Sequence, residues 1–259
     1  MMTYIMKNEM TFKRPYLTLI GLEIITLLFV STGAAITEIT KMSNPIAPFM
    51  GFIPLALLLI FYFTIKNRWG TFYFHSLRKL SVREWVLYTP LLFFLILLVI
   101  FNEGVSIQSF SYLVLLSLGI MTNAFVEESV FRGLMLKILL PKGEIKAIII
   151  SSLFFGIGHF AQAFQNPSFS IFIQVFYALL IGLVLALLVI QTQSIIIPII
   201  FHFLHNLLQY TGRIVSDVAT IRMTDIILIA FLIIYIIGLL MFRKKKRSSH
   251  SHSSVTIDR

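Results

Sequence analysis

Ionisable side chains interrupt stretches of this chain that are otherwise apolar enough to cross a lipid bilayer. A charged side chain at membrane depth costs roughly 3 kcal/mol even on permissive insertion scales, so such residues persist mainly where they have a use. The fourth apolar stretch contains Glu127, Glu128 and Arg132, and two later stretches contain His159 and His202. These positions predict a functional site inside the membrane.

The apolar stretches themselves predict the fold class. Hydrophobic residues make up 58% of the 259 residues and charged residues only 12%, which is more apolar than a soluble core requires. Hydropathy divides the chain into about eight runs near the ~20 residues that a membrane-spanning helix needs. Because lipid requires backbone polar groups to be paired within a helix or a closed barrel, we predict an all-α polytopic membrane helical bundle. The runs cover residues 15–37, 46–65, 85–102, 110–131, 146–164, 169–190, 194–211 and 225–242.

No internal repeat, linker or soluble segment divides the chain, so we predict a single membrane domain over residues 1–259. Residues 243–259 form a basic, Ser-rich tail that we expect to be disordered. The first run could also be a signal peptide, because basic residues precede it and small residues follow it. Its length and Glu23 within it favour a retained span.

Basic residues predict the orientation. Most of the 21 Lys and Arg residues precede the first run, separate the second from the third or the fourth from the fifth, or follow the last. These segments lie on one side of the membrane if the runs alternate, and the positive-inside rule makes that side the cytoplasm. We therefore predict cytoplasmic termini and a multi-pass protein of the cell membrane. The net charge of +10 suits anionic lipid headgroups, so we expect the lipid bilayer and no nucleic acid as a partner.

Absent residues exclude several hydrolytic chemistries. The chain has no Cys, which removes a thiol nucleophile, and no Asp pair within the apolar runs, which removes an intramembrane aspartyl dyad. No His is followed by Glu, so the two-histidine zinc helix is missing, and no G-x-S-x-G elbow is found. Glu, His, Asn and Arg remain as the residues that could carry chemistry.

The acidic pair of the fourth run suggests two different roles. On a helix, Glu128 and Arg132 are four residues apart and can form an ion pair. Glu127 is turned by ~100° from Glu128 and has no local partner in the sequence, which makes it the best candidate for a general base that deprotonates water. Two alternatives remain: a structural charge cluster between helices, and an Arg132 that reaches the interface from the end of its span.

The later runs supply imidazole and amide groups. His202 and Asn206 are four residues apart, project together and could bind a developing oxyanion. A lone His such as His159 is more often a hydrogen-bonding residue between helices than a catalyst. The joint occurrence of a carboxylate pair, a His, and a His with Asn on three runs is harder to explain by packing alone.

At these residues the chain resembles the membrane-embedded CPBP proteases, also called the CAAX-protease and bacteriocin-processing or Abi family. The family's motifs are a double Glu followed four positions later by Arg, then Phe-x-x-x-His, then His-x-x-x-Asn. They stand here as Glu127-Glu128 with Arg132, Phe155 with His159, and His202 with Asn206, in the expected order. The resemblance covers roughly residues 110–211, the predicted catalytic core.

The resemblance implies an intramembrane endopeptidase. Glu127 with His159 would activate water, and His202 with Asn206 would stabilise the oxyanion. Glu128 and Arg132 would orient these groups, and Glu128 could share the role of base. We favour a metal-free, glutamic-type enzyme without a cofactor, because no H-E-x-x-H pair is present and each candidate lies on a different helix. Zinc held by Glu127, His159 and His202 remains the alternative.

The expected substrate is a membrane-associated or secreted peptide or protein, such as a signal or a bacteriocin precursor, and a prenylated C-terminal CaaX peptide ranks below it. We expect the site near the cytoplasmic end of the fourth run, in a cavity that opens to the cytoplasm. The main alternative is a non-catalytic membrane regulator or bacteriocin self-immunity protein on the same scaffold. A proton-coupled transporter is a further alternative, although transporters commonly show repeated halves, which this chain lacks.

Overall fold

Long apolar sequences give this chain an all-helical architecture. The computed structural model describes residues 12–41, 44–160, 170–213 and 222–255, and no strand is formed in these ranges. The predicted all-α fold is therefore confirmed for the described residues. The main helices are α1 (Pro15–Thr40), α2 (Phe52–Ile65), α3 (Val82–Phe101), α4 (Phe110–Glu128), α5 (Glu144–Gly158), α6 (Ser170–Thr192), α7 (Ile196–Thr211) and α8 (Met223–Val255).

Five helices are long and apolar enough to cross a membrane: α1, α3, α4 with its extension, α6 and the first part of α8. Helices α2, α5 and α7 contain 14, 15 and 16 residues. At 1.5 Å per residue these three are about 21–24 Å long, less than the ~30 Å of a hydrocarbon core. A multi-pass membrane protein is thus supported, whereas a count of eight complete spans stays a prediction.

Polar residues at helix N-termini fix where two of the spans begin. Ser81 precedes α3 and forms a capping box with Glu84: the Glu84 N–H donates to Ser81 Oγ at 3.3 Å, and the Ser81 N–H donates to Glu84 Oε2 at 2.9 Å. Ser109 precedes α4 and accepts a hydrogen bond from the N–H of Tyr112. Each cap satisfies backbone donors that the first helical turn leaves unpaired.

The helix that carries the acidic pair extends further than its hydropathy indicates. After Glu128, α4 continues through a π-helical turn (Ser129–Met135) and a last α-helical turn (Leu136–Leu139). The predicted run ends at residue 131, because Arg132 interrupts the apolar sequence. Arg132 is only 1% exposed, so its charge is buried inside protein and does not end the helix. The alternative in which Arg132 reaches the interface from the end of its span is wrong.

Helix α6 lies at the centre of the bundle. Its most apolar window is 56% buried, against 22% to 33% for the other four candidate spans. It packs against α5 and α8 and also contacts α3, α7 and the π-helical turn. The outer helices expose large apolar side chains such as Leu28, Phe61 and Leu92, as expected for a surface that faces lipid.

Most of the basic loops meet at one end of the bundle, which we call the basic face. Arg243 Nη2 lies 2.7 Å from Glu144 Oε1, and Lys137 Nζ lies 5.6 Å from the centre of the Tyr73 ring. The Ile195 N–H donates to the Tyr73 carbonyl at 2.9 Å, so the start of α7 lies at the same end. The segments that form the basic face are 66–81, 137–146 and the end of α8 at Arg243.

The other end of the bundle, which we call the opposite face, is formed by residues 44–51, 102–109 and 211–213. The Ser106 N–H donates to the Thr211 carbonyl at 2.6 Å, which joins the loop before α4 to the end of α7. The cytoplasmic placement of the termini stays a prediction. The domain predictions stay predictions as well: α8 is described as far as Val255, and residues 256–259 of the tail lie outside the described residues.

Aromatic side chains of segment 66–81 pack into the bundle instead of lying along a membrane interface. The rings of Trp69, Phe72 and Phe74 lie with their centres 5.2, 4.9 and 5.7 Å from that of Phe63 on α2. Phe74 also contacts Phe125 on α4 at 6.0 Å. An aromatic cluster therefore fills the bundle at the basic face.

Two glycines let the chain turn back closely onto α1. A Cβ at Gly51 would lie 1.8 Å from the Phe29 carbonyl oxygen, and a Cβ at Gly33 would lie 2.6 Å from the Pro48 carbonyl oxygen. Backbone atoms occupy the space on both sides, so neither contact can relax by rotating a side chain. This crossing holds α1 against the start of α2, where both line the cavity described below.

The variant Gly51→Ala is expected to destabilise the protein by about 1–3 kcal/mol, the usual cost of overpacking. The matched control is Gly21→Ala on α1, where no atom lies within 4 Å of the added Cβ. Thermal unfolding in detergent, followed by circular dichroism, should show a lower melting temperature for Gly51→Ala only. Equal melting temperatures for the two variants would contradict the close crossing.

Candidate active site

The ion pair predicted on α4 is present and fully buried. Arg132 Nη1 lies 2.9 Å from Glu128 Oε1, and the two side chains are 1% and 0% exposed. The guanidinium carbon also lies 3.9 Å from the centre of the Phe155 ring on α5, a cation–π contact. Gly182 on α6 lies close to this group: a Cβ there would lie 3.1 Å from Ser152 Cβ and, at ordinary contact distance, 3.4 Å from Arg132 Nη2. The predicted Glu128–Arg132 pair is confirmed.

His202 on α7 contacts both glutamates, one at each ring nitrogen. Nδ1 lies 2.9 Å from Glu128 Oε1, and Nε2 lies 3.5 Å from Glu127 Oε2. Because an ionised carboxylate only accepts hydrogen bonds, Nδ1 of His202 carries the proton that Glu128 binds. The two ring nitrogens of His202 face different directions. Glu127 and Glu128 therefore both reach this ring, although their side chains point in different directions around α4.

Glu127 has a second partner on its own helix. Asn123 Nδ2 donates to Glu127 Oε1 at 2.8 Å. The expectation that Glu127 lacks a local partner is therefore wrong: Asn123 lies four residues earlier, one helical turn away. The side chain of Glu127 is 17% exposed, whereas that of Glu128 is fully buried. The two carboxylates thus differ in solvent access as well as in partners.

Hydrogen bonds extend from Glu127 to a second histidine on α7. Asn206 Nδ2 donates to Asn123 Oδ1 at 3.2 Å, and Asn206 Oδ1 accepts from His205 Nδ1 at 3.0 Å. Nε2 of His205 is then left to accept from the Tyr177 hydroxyl at 2.9 Å. These bonds fix the Asn206 amide and leave one of its two protons for a further acceptor.

His159 lies at the end of α5, directly after Gly158. Its Nδ1 lies 2.8 Å from the Phe155 carbonyl oxygen, which makes Nδ1 a donor and leaves Nε2 as an acceptor in the neutral ring. Phe155 packs edge-on against both His159 and His202. The centre of its ring lies 5.0 Å from that of His159 and 5.8 Å from that of His202. The same phenyl ring therefore orients both histidines and the Arg132 guanidinium.

A cavity of about 650 Å³ joins these groups. This volume suits a peptide segment or another ligand of moderate size. Glu128 and Arg132 are not among the lining residues, and Glu128 contacts His202 from behind the wall. Of the predicted site residues, Glu127, His159, His202 and Asn206 line it.

The cavity lies toward the opposite face of the bundle. Its lining includes the second half of α1 as far as Ala34, the end of α3 at Asn102, Gln209 and Tyr210 near the end of α7, and Arg222 before α8. No residue of the segments that form the basic face lines it. The expectation that the site opens toward the basic loops is wrong, because α4 continues for three turns beyond Glu127 and the aromatic cluster fills that end.

The His and Glu side chains of the site can be compared with the group of ligands that a metal ion needs. Among the described residues, no three His, Cys, Asp or Glu side chains form a group suited to hold a metal ion. Glu127 and His202 approach each other, but their nearest atoms are 3.5 Å apart, and His159 turns Nδ1 toward its own helix. The preference for a metal-free site over zinc stays a prediction.

Part of the chain is similar to a known protein family. Residues 108–208 match the family model of the Type II CAAX prenyl endopeptidase Rce1-like proteins. Residues 108–208 are therefore similar to a CAAX-protease domain. This domain contains all six predicted site residues and supports an intramembrane endopeptidase in general terms, as the motifs suggested. No curated protein and no solved structure matches the chain.

Three residues outside the predicted site set complete the site. Asn123 and Tyr177 lie in the hydrogen-bond network of the CAAX-protease domain, and Glu23 on α1 lines the cavity from outside that domain. Asn123 could have been found from its spacing, four residues before Glu127. Tyr177 carries no such signal, because only the packing of α6 brings it to the site. Glu23 stands out as a carboxylate in an apolar run, but only the packing of α1 places it at the cavity.

Replacing Arg132 by Met is expected to destabilise the protein by about 3–5 kcal/mol, because the buried Glu128 charge then loses its partner. The double variant Glu128→Gln with Arg132→Met should recover part of that loss, since it removes both charges. Lys41→Met provides the control, because Lys41 pairs with Glu38 in an exposed ion pair and should not change the melting temperature measurably. A double variant that is less stable than Arg132→Met would contradict the role of the pair.

Proposed function

We propose that this protein is an intramembrane endopeptidase that hydrolyses a peptide bond of a membrane-associated or secreted peptide or protein. The observation that carries the proposal is Glu127, a carboxylate on the wall of a large cavity, held by Asn123 and His202 on two sides. The CAAX-protease domain over residues 108–208 supports the same activity class.

Glu127 acts as the general base of the reaction. It accepts one proton from water, while Nε2 of His159 accepts a hydrogen bond from the other O–H, which stays intact, and directs the oxygen toward the scissile carbonyl. The oxygen attacks the carbonyl carbon, and the electron pair of the C=O bond moves onto its oxygen. A positioned base contributes about 10²–10⁴-fold to such a step.

His202 and Asn206 stabilise the tetrahedral intermediate. The spare amide proton of Asn206 lies on the cavity wall as a donor to the oxyanion, and Nε2 of His202 is a second donor when the ring is an imidazolium that carries a proton on both nitrogens. When the intermediate collapses, the C–N bond breaks and Glu127 returns its proton to the departing amine. The products are a carboxylic acid and an amine.

Glu128 and Arg132 act through His202. Glu128 accepts from Nδ1 of His202 at 2.9 Å, and this bond directs Nε2 toward Glu127 and the cavity. Arg132 neutralises Glu128, so the orienting carboxylate stays charged without solvent. In this assignment Glu128 positions the imidazole and does not share the role of base.

The reaction uses a glutamic-type mechanism without metal. The nucleophile is water activated by a carboxylate that already has an amide donor on one oxygen and an imidazole near the other.

The protein lies in the cell membrane with the basic face in the cytoplasm. Most Lys and Arg residues lie in the segments that form that face, at the start of α1 or in the last part of α8, which is the arrangement that the positive-inside rule describes. The cavity therefore opens to the extracytoplasmic side. Substrates are peptide segments that reach the outer half of the bilayer, such as secreted or membrane-anchored peptides, and a prenylated C-terminus in the cytoplasm would not reach the site.

The variant Glu127→Gln should lower cleavage by more than ~10²-fold, because an amide cannot take the proton from water. The assay uses purified protein in liposomes with a mixture of membrane peptides and mass spectrometry of the products. His159→Ala should cause a comparable loss. The matched control is Glu38→Gln, an exposed carboxylate on α1, which should cleave at the wild-type rate.

Full turnover by Glu127→Gln would rule out the proposed mechanism and favour a non-catalytic role for the same scaffold. A chelator should leave the wild-type rate unchanged. Loss of activity with chelator, restored by one equivalent of zinc, would contradict the metal-free mechanism but leave the endopeptidase activity standing.

The proposed orientation can be tested by cysteine labelling, because the natural chain contains no Cys. Single variants Gln108→Cys in the loop before α4 and Gln209→Cys on the cavity wall should react with a membrane-impermeant maleimide in intact cells. Ser76→Cys on the basic face should react only after the membrane is permeabilised. The reverse pattern would place the cavity on the cytoplasmic side.

A further inference from the structure

A third carboxylate faces the cavity, from a helix outside the CAAX-protease domain. Glu23 lies on α1, is 6% exposed and lines the cavity. A Cβ placed at Gly158 would lie 3.0 Å from Glu23 Oε1, so the carboxylate lies against the residue that precedes His159. Glu23 is therefore next to the catalytic groups but is not bonded to them.

Neither oxygen of Glu23 has a hydrogen-bond partner among the described residues. The internal segments outside the described ranges, residues 42–43, 161–169 and 214–221, contain no Lys, Arg or His that could supply a countercharge. Arg222 is the only Lys or Arg among the described residues that line the cavity, and it pairs with Asp225 at 3.2 Å. Among the described residues, no cationic side chain pairs with the carboxyl group of Glu23.

Such a residue is costly to keep. Burial of a carboxylate without a partner is strongly unfavourable, and the charge of Glu127 nearby adds repulsion. Ionisable residues at membrane depth are retained mainly where they bind or transfer something. The missing partner is therefore expected to arrive with the substrate.

Around Glu23, α1 presents a surface suited to one kind of side chain. Leu27 and Val30 follow Glu23 at one and two helical turns and line the same cavity toward the opposite face. The stem of a Lys or Arg side chain can lie along such an apolar wall while its charged head meets a carboxylate. An acidic side chain would be repelled by Glu23 and Glu127 together.

We propose that Glu23 is a substrate-specificity residue that binds a Lys or Arg side chain near the scissile peptide bond. The role rests on the proposed endopeptidase function and adds a sequence preference to it. Glu23 positions the substrate and takes no part in proton transfer. The pairing replaces an unfavourable buried charge by an ion pair, so a basic residue in the substrate strengthens binding in the cavity.

The test is a substrate profile measured with a mixture of peptides randomised around a central position and analysed by mass spectrometry. Wild-type protein in liposomes should enrich Lys and Arg at one position relative to the cleaved bond. A Lys peptide and its uncharged norleucine counterpart, both based on the enriched sequence, should differ in kcat/KM on the order of ten-fold or more, as expected for a desolvated charge pair.

In Glu23→Gln this ratio should fall to near one, because kcat/KM for the Lys peptide falls toward that for the norleucine peptide. Glu23→Asp keeps the charge and should retain part of the preference, which separates a binding role from a general loss of folding. Glu38→Gln, the exposed carboxylate on the same helix, should leave the ratio unchanged.

Cleavage by the wild type without any preference for Lys or Arg would overturn the role of Glu23 and leave the endopeptidase proposal intact. A preference that persists in Glu23→Gln would also overturn it. Absence of cleavage of every peptide by the wild type would count against the endopeptidase proposal itself and against the role of Glu23 with it.

Discussion

The buried ion pair between Glu128 and Arg132 is the interaction on which the site depends. Two charges without solvent exposure are stable only when each is closely paired, and removal of either partner leaves an uncompensated charge. Arg132 is held by Glu128 and the Phe155 ring, and Glu128 is held by Arg132 and His202. Three helices, α4, α5 and α7, are thereby fixed to one another at the depth where the chemistry would take place.

The orientation of the reactive groups follows from that arrangement. Because Glu128 accepts from Nδ1 of His202, the other nitrogen of the ring must face Glu127 and the cavity. Two neighbouring glutamates thus acquire different environments: one is buried and neutralised, and the other is partly exposed and bonded to Asn123. The partly exposed environment of Glu127 is the one that a general base requires. The buried, neutralised environment of Glu128 suits a positioning residue.

Sequence patterns predicted the helical fold, the Glu128–Arg132 pair and the grouping of the ionisable residues, because these depend on hydropathy and on spacing along single helices. They did not predict that α4 continues past Arg132, because a buried cation resembles the end of a span until its partners are known. The prediction of the side on which the cavity opens was also wrong, since that side depends on the aromatic packing of segment 66–81. Glu23 gained significance only through the packing of α1 beside Gly158.

The protonation of His202 tests the central claim most directly. Nitrogen-15 NMR of protein labelled at histidine, with the His202 signal assigned by its loss in His202→Gln, reports which ring nitrogen carries a proton. The account predicts a protonated Nδ1 that is hydrogen-bonded to a carboxylate, with a signal that moves in Glu128→Gln. A His202 ring with its only proton on Nε2, or a signal that Glu128→Gln leaves unchanged, would contradict it.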